Sequence, residues 1–143
     1  MSAPHQTVFT IATRGPGLVE ITGDVCGWVS GTGQRTGLLT LFVRHTSASL
    51  LIQENADPQV RRDFLAWLGR LVPHADDPSM SYLRHRSEGP DDMPAHIKAA
   101  HLPVSLSIPV FEGRPVLGTW QGIYLVEHRD APHDRQVAAH LSP

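Results

Sequence analysis

The apolar residues of this 143-residue chain come in short runs cut apart by glycine, proline and polar residues. The runs are TVFTIAT (7–13), LVEI (18–21), GLLTLFV (37–43), LLIQ (50–53), VSLSIPV (104–110) and VLGTWQGIYLV (116–126). Short apolar runs bounded by turn residues predict strands, and none approaches the roughly 20 residues that a membrane-spanning helix needs. Two stretches instead carry helical spacing. Thr22 is placed to cap a helix running to about Ser30, with Ile21, Val25, Trp28 and Val29 on one side and Gly31 and Gly33 beyond its end. Asp57-Pro58 opens a second helix, with Val60, Phe64, Leu65, Leu68 and Leu71 as its buried face, Trp67 at the edge and Pro73 as its stop. Strands without a β–α–β rhythm predict one α+β domain over residues 1–143, a largely antiparallel sheet with two main helices. The first two runs, separated by Gly15-Pro16-Gly17, are expected to form a hairpin, and 116–126 to form one long strand. GLLTLFV and VLGTWQGIYLV are apolar on both faces, and two helices are too few to cover them, so an oligomer is expected.

Charge and cysteine content narrow the function. A formal net charge of −2 gives no pull toward nucleic acid or an anionic membrane, so neither is expected as a partner. The single cysteine, Cys26, excludes an internal disulfide and reads as a buried, inert thiol in the first helix. The opening residues MSAPHQTVFTIATRG lack a basic segment followed by an apolar one, so no signal peptide and a cytoplasmic location are expected.

Apolar periodicity stops between Tyr82 and His101, where YLRHRSEGPDDMPAHIKAAH holds three of the nine histidines. Met93-Pro94 opens a short helical stretch on which Asp92 and His96, four apart, can share a face, with His85 across the Gly89-Pro90 turn. Imidazole and carboxylate together suit Zn²⁺ or a similar divalent ion, although the same residues also make an ordinary solvated loop. His45-Thr46-Ser47-Ala48-Ser49 lies between two apolar strands. Its hydroxyls can hold an oxyanion, or satisfy their own backbone as a plain turn. On a regular strand Ile123, Leu125 and Glu127 share one face, and Tyr124, Val126 and His128 the other.

Three segments together, HTSASLLIQENADPQVRRD (45–63), HRSEGPDDMPAHIKA (85–99) and LGTWQGIYLVEHRD (117–130), resemble the YjbQ-like family, also called secondary thiamine-phosphate synthases. The resemblance runs in order over nearly the whole chain. It implies the family's own α+β fold, a homotrimer formed through the sheets, and a histidine-rich site with a divalent metal, Zn²⁺ by preference. Residue by residue it implies His45, His85 and His96 as metal ligands. Asp92 and Glu127 follow as general base or outer partners, and Thr46, Ser47, Ser49, Lys98 and Gln121 as contacts to a phosphorylated substrate. The activity implied is that of a metal-dependent enzyme on a phosphorylated small molecule, joining a pyrimidine pyrophosphate to a thiazole phosphate as a side activity. A non-catalytic trimer binding a metal and a phosphorylated metabolite would use the same residues. The family's cysteine before the glutamate is Val126 here, which removes any thiolate ligand.

Overall fold

The computed structural model describes residues 3–143. In chain order the elements are β1 His5–Ala12, β2 Gly17–Glu20, α1 Thr22–Thr32, β3 Gly37–Val43, β4 Ala48–Glu54, α2 Pro58–Leu71, α3 Asp92–His101, β5 Ser105–Phe111, β6 Arg114–Pro115, β7 Gln121–Glu127 and β8 Asp134–Ser142. The strands form two antiparallel sheets, one of five strands in the order β1-β8-β3-β5-β6 and one of three in the order β2-β7-β4. The fold is α+β, with three helices against these sheets.

Alternation along the strands builds the core between the sheets. Leu39 and Leu41 of β3 lie opposite Leu141 and Ala139 of β8 on one side, and opposite Ile108 and Leu106 of β5 on the other. From the smaller sheet come Leu50, Ile123 and Leu125, and from α1 Val25 and Val29, all fully buried. The α2 helix lies on the other face of the smaller sheet. Tyr124 is buried there, with the Arg61 guanidinium of α2 over its ring, 5.6 Å from the centroid.

Several expectations change. β1 and β2 form no hairpin: β1 pairs with β8 and β2 with β7, so Gly15-Pro16-Gly17 carries the chain from one sheet to the other. Gly15 makes that turn at φ 128°, where a Cβ would stand 3.0 Å from the Asp130 carbonyl oxygen. Thr22 does not cap α1. Its hydroxyl donates to Glu20 Oε2 and accepts from the Ile123 N–H, bracing β2 against β7. Residues 116–126 do not form one strand. A turn closed by Gly118 N–H donating to Gln121 Oε1 precedes β7, and Trp120 stands exposed on it. In α2 only Leu68 is buried, while Trp67 and Leu71 project outward.

The Asp57 cap does form, accepting from the Gln59 N–H at 2.9 Å with Pro58 at the first helical position. Asp57→Ala is expected to cost about 1 kcal/mol in a thermal melt, and Asp57→Asn only a fraction of that. Equal losses in the two variants would show that the cap contributes nothing.

Among the described residues, none covers the outer face of the larger sheet. Val8, Ala138 and Phe42 lie side by side across β1, β8 and β3, with Leu38 four residues away on β3 and Phe111 on β5. Val8, Leu38, Phe42 and Phe111 are all exposed large apolar side chains.

Candidate metal site

The site is built at the start of α3. Asp92, Pro94 and Ala95 are buried in its first turns, so the helix begins inside the protein with a carboxylate rather than at the surface. Asp92 is 1% exposed, a position that a carboxylate holds only when paired. Its Oδ2 lies 2.7 Å from His85 Nε2 and 3.2 Å from His96 Nε2, and its Oδ1 lies 3.0 Å from Arg129 Nη1. Arg129 also donates through Nε to Asp91 Oδ2 at 2.8 Å and through Nη2 to the Glu88 carbonyl oxygen. One guanidinium therefore fixes the loop and the helix start together. Burial pushes the Asp92 carboxyl up. Hydrogen bonds to His85 and Glu88 and the charges of His96 and Arg129 outweigh that push and hold it below its ordinary value.

The tautomer of His96 follows from its partners. Nδ1 lies 2.9 Å from the Thr46 carbonyl oxygen, which can only accept, so Nδ1 carries the proton. In the neutral ring Nε2 then turns a lone pair toward the Asp92 carboxylate. Two acceptors 3.2 Å apart repel unless a proton or a cation sits with them. Donor atoms of His85, Glu88, Asp92 and His96 all lie within 4.8 Å of one another. Ligands on one tetrahedral zinc at bond lengths near 2.05 Å stand about 3.3 Å apart, so small side-chain shifts bring this set to a metal. The carbonyl on Nδ1 is the kind of outer partner that orients a ligating histidine.

The structure thus brings together His85, His96 and Asp92, with Asp92 in the donor set itself. His45 stands beside them, sharing with His96, Thr46, Ala48, Ala99, Ala100 and Val104 the wall of a cavity of about 260 Å³. Its Nε2 already accepts the Gln136 N–H at 2.7 Å, which leaves Nδ1 as the ring's donor. Glu127 is outside this donor set, fully buried at the end of β7. Thr13 Oγ1 donates to its Oε1 at 2.6 Å and Arg135 Nε at 2.9 Å, while the backbone N–H groups of His128 and Arg129 donate to Oε2. Burial raises this carboxyl too, but those donors outweigh it and the net shift is downward.

The other substrate candidates are spread out. Thr46 uses its carbonyl on His96, and Ser47 offers both carbonyl and hydroxyl oxygens to Arg135 Nη2. Ser49 is fully buried, 2.9 Å from His128 Nε2. Gln121 closes the turn before β7. Lys98 is half-buried on α3, and burial pulls its ammonium down. Glu127 and His128 do face different surroundings, as strand alternation requires. Burial, then the charge of Lys98, lowers His128 to about 4. Sequence reasoning singled out neither Arg129 nor Arg135, although each holds a buried carboxylate. It also passed over Glu88, whose signal was its place between His85 and Asp92.

A family model described as UPF0047 protein YjbQ-like matches residues 7–143. A UPF0047 protein of Synechocystis is 49% identical over 138 residues, covering 96% of this chain and 91% of that protein. The UPF0047 protein YjbQ of Salmonella typhimurium is 44% identical over 138 residues, 96% of each. Among solved structures, an uncharacterized conserved protein of the YjbQ/UPF0047 family from Clostridium acetobutylicum matches with a TM-score of 0.83 at 35% identity, over 95% of this chain and 99% of its own. A hypothetical protein from Aeropyrum pernix matches with a TM-score of 0.84 at 30% identity, over 96% and 98%. Matched over residues 7–143 by the family model and over 95% or more of its length by these relatives, the chain belongs to the YjbQ-like UPF0047 family.

Proposed function

We propose that this protein is a metal-dependent enzyme acting on a phosphorylated small molecule, with a divalent ion, Zn²⁺ by the chemistry of the donors, held by His85, Asp92 and His96. The observation that carries this reading is the pair of acceptors, His96 Nε2 and Asp92 Oδ2, turned toward one point with His85 and Glu88 beside it. A bound divalent ion there supplies a Lewis acid to a substrate oxygen. The chain's own residues do the rest. Arg129 keeps Asp92 ionised and in place, the Thr46 carbonyl fixes the His96 ring, and the cavity walled by His45, Thr46 and His96 receives the substrate beside them. Lys98, two residues beyond His96 on the same helix, projects from a different face and does not line that cavity, so it is not among the phosphate contacts. Joining a pyrimidine pyrophosphate to a thiazole phosphate falls within this substrate class.

The assembly belongs to the same reading: a homotrimer. The uncovered face around Val8, Leu38 and Phe42 is one apolar patch, and Trp67 and Leu71 of α2 form another. Two unlike patches on one chain suit a head-to-tail ring better than a twofold dimer, and the family resemblance sets the number at three.

Protein purified without chelator is expected to carry close to one equivalent of divalent metal by elemental analysis. His96→Ala and Asp92→Asn are expected to lose it while keeping the wild-type circular dichroism. Arg129→Ala, which removes only an outer partner, is expected to weaken affinity by roughly 10–100-fold. Protein that holds no metal as purified and takes none on Zn²⁺ loading would refute the reading.

One observation favours the second reading, a non-catalytic trimer that binds a metal and a phosphorylated metabolite. Glu127, one of the two carboxylates expected as a base, has both oxygens engaged by internal donors. Recovery of phosphorylated ligands unchanged from the metal-loaded trimer, across a panel of candidates, decides for binding; turnover of any one decides for catalysis.

A further inference from the structure

A second cavity, of about 600 Å³, lies between α1 and the tight β5–β6 turn and shares no lining residue with the histidine site. Its size falls in the range of small-molecule pockets, about 300–1,000 Å³. One wall is the small-residue face of α1, Cys26, Gly27 and Ser30. A Cβ added at Gly27 meets no atom within 4 Å, so glycine there leaves open space rather than relieving a clash. The opposite rim is the turn itself, where Glu112 and Gly113 both take positive φ, 53° and 76°. The Gly113 N–H donates to the Arg35 carbonyl at 2.9 Å, tying the loop after α1 to the turn. That tie sets Arg35 and Arg114 on one cavity, against the single carboxylate of Glu112.

These two arginines differ from the other two that matter in this fold. Arg129 and Arg135 are each clamped by carboxylates. Neither Arg35 nor Arg114 has an ion-pair partner or a side-chain hydrogen bond among the described residues. Guanidinium groups present planar, forked donors matched to phosphate and carboxylate oxygens. The charge of Arg114 also lowers the Cys26 thiol, against the larger upward push of burial, so the two residues sense one another across the same space.

We propose that this cavity is a second binding site, for a small organic anion whose phosphate or carboxylate is held by Arg35 and Arg114 and whose body lies against Cys26, Gly27 and Leu117. It stands apart from the metal reading and survives that reading's failure.

Cys26 makes the site directly observable, because it is the only cysteine in the chain and is partly accessible. The experiment follows alkylation of the full-length protein by N-ethylmaleimide at mildly alkaline pH, read by intact mass. Rates are taken with and without phenyl phosphate, benzoate or neutral benzyl alcohol. Phenyl phosphate, benzoate or both are expected to slow alkylation at millimolar concentration, the more protective one identifying the preferred head group, and benzyl alcohol is expected to have no effect. Losing one charge-assisted contact corresponds to roughly a tenfold shift in affinity. Arg114→Ala should therefore raise the half-protecting concentration about that much, and the Arg35→Ala/Arg114→Ala pair should abolish protection. Gly27→Leu, which fills the cavity from a helical position that favours leucine over glycine, is expected to slow alkylation by itself and to remove any further effect of the anions. No protection by either anion, equal protection by benzyl alcohol, or protection undiminished in the double arginine variant would overturn the proposal. Each arginine variant is on the exposed rim and keeps the test valid if Gly27→Leu misfolds.

Discussion

Arg135→Ala is expected to remove about 3–5 kcal/mol of folding stability, because it leaves the Glu127 carboxylate buried and unpaired. Both partners are nearly inaccessible, 4% for Arg135 and 1% for Glu127. The pair also does more than neutralise charge. Glu127 ends β7 of the smaller sheet and Arg135 is the second residue of β8 in the larger one. Thr13, just past β1, donates to Glu127, and Ser47, just before β4, accepts from Arg135. Four chain segments from the two sheets therefore meet on one ion pair. Urea unfolding of the single variants and of Glu127→Ala/Arg135→Ala separates the charge term: the double variant should be less damaged than the sum of the singles. A loss below about 1 kcal/mol for Arg135→Ala would mean that water reaches Glu127 and the network is looser than its geometry.

Acid should act on the same region in two stages. His128 is lowered to about 4 from an ordinary value of 6.5. The unfolded state therefore binds the extra proton first, and stability falls as pH drops through that window. Glu127 is held below its ordinary 4.5. Its contribution is whole above that value and is lost as pH falls further, through its folded-state pKa. His128→Gln should flatten the first stage and Glu127→Gln the second in stability measured against pH.

Phe42→Asp should convert the proposed homotrimer to single chains. Phe42 is 45% exposed in the isolated chain and stands beside Ala138 in the centre of the uncovered sheet face. A carboxylate there, carried into a packed interface with no partner, costs several kcal/mol per copy. Because the side chain is not part of the core, the substituted chain should keep its fold. Ile123, by contrast, is fully buried between the sheets, and changing it would test folding instead. Light scattering at micromolar concentration should give three chain masses for the wild type and one for Phe42→Asp. A wild type that scatters as one chain, or a variant that still scatters as three, would refute the assembly.

The strands and α2 were legible because each depends on local pattern: alternation in GLLTLFV, a cap and proline at Asp57-Pro58. The Asp92 and His96 pair was legible for the same reason, a spacing of four on one helix. What stayed hidden was non-local. Gly15-Pro16-Gly17 reads as a hairpin turn, since nothing in three residues shows that the next strand joins a different sheet. Thr22 looks like a cap, but a hydroxyl takes whichever partner tertiary structure brings, here Glu20 and the Ile123 backbone. Arg129 reaches back 38 residues to Asp91, and Ser47 lies 88 residues from Arg135, distances that no periodicity encodes. Leu71 had the spacing of a buried face and is exposed, as is Trp67 at its edge, because pattern tells which side is apolar and not whether this chain alone covers it.

The order β1-β8-β3 has a consequence for how the protein is made. The strand between β1 and β3 is the last of the eight to leave the ribosome. Until residues 134–142 emerge, β1 lacks its one strand partner among the described residues and β3 has an open edge, so β3, β5 and β6 can pair but the larger sheet cannot be completed. Such pairing between distant parts of a chain is slow to find, on the order of milliseconds to seconds for a domain rich in β-structure. During that interval the nascent chain presents apolar strand edges of the kind that pair with neighbours. A stalled chain ending before β8 should accordingly leave β1 and the open edge of β3 accessible to protease, whereas addition of residues 134–142 should protect both in a single step.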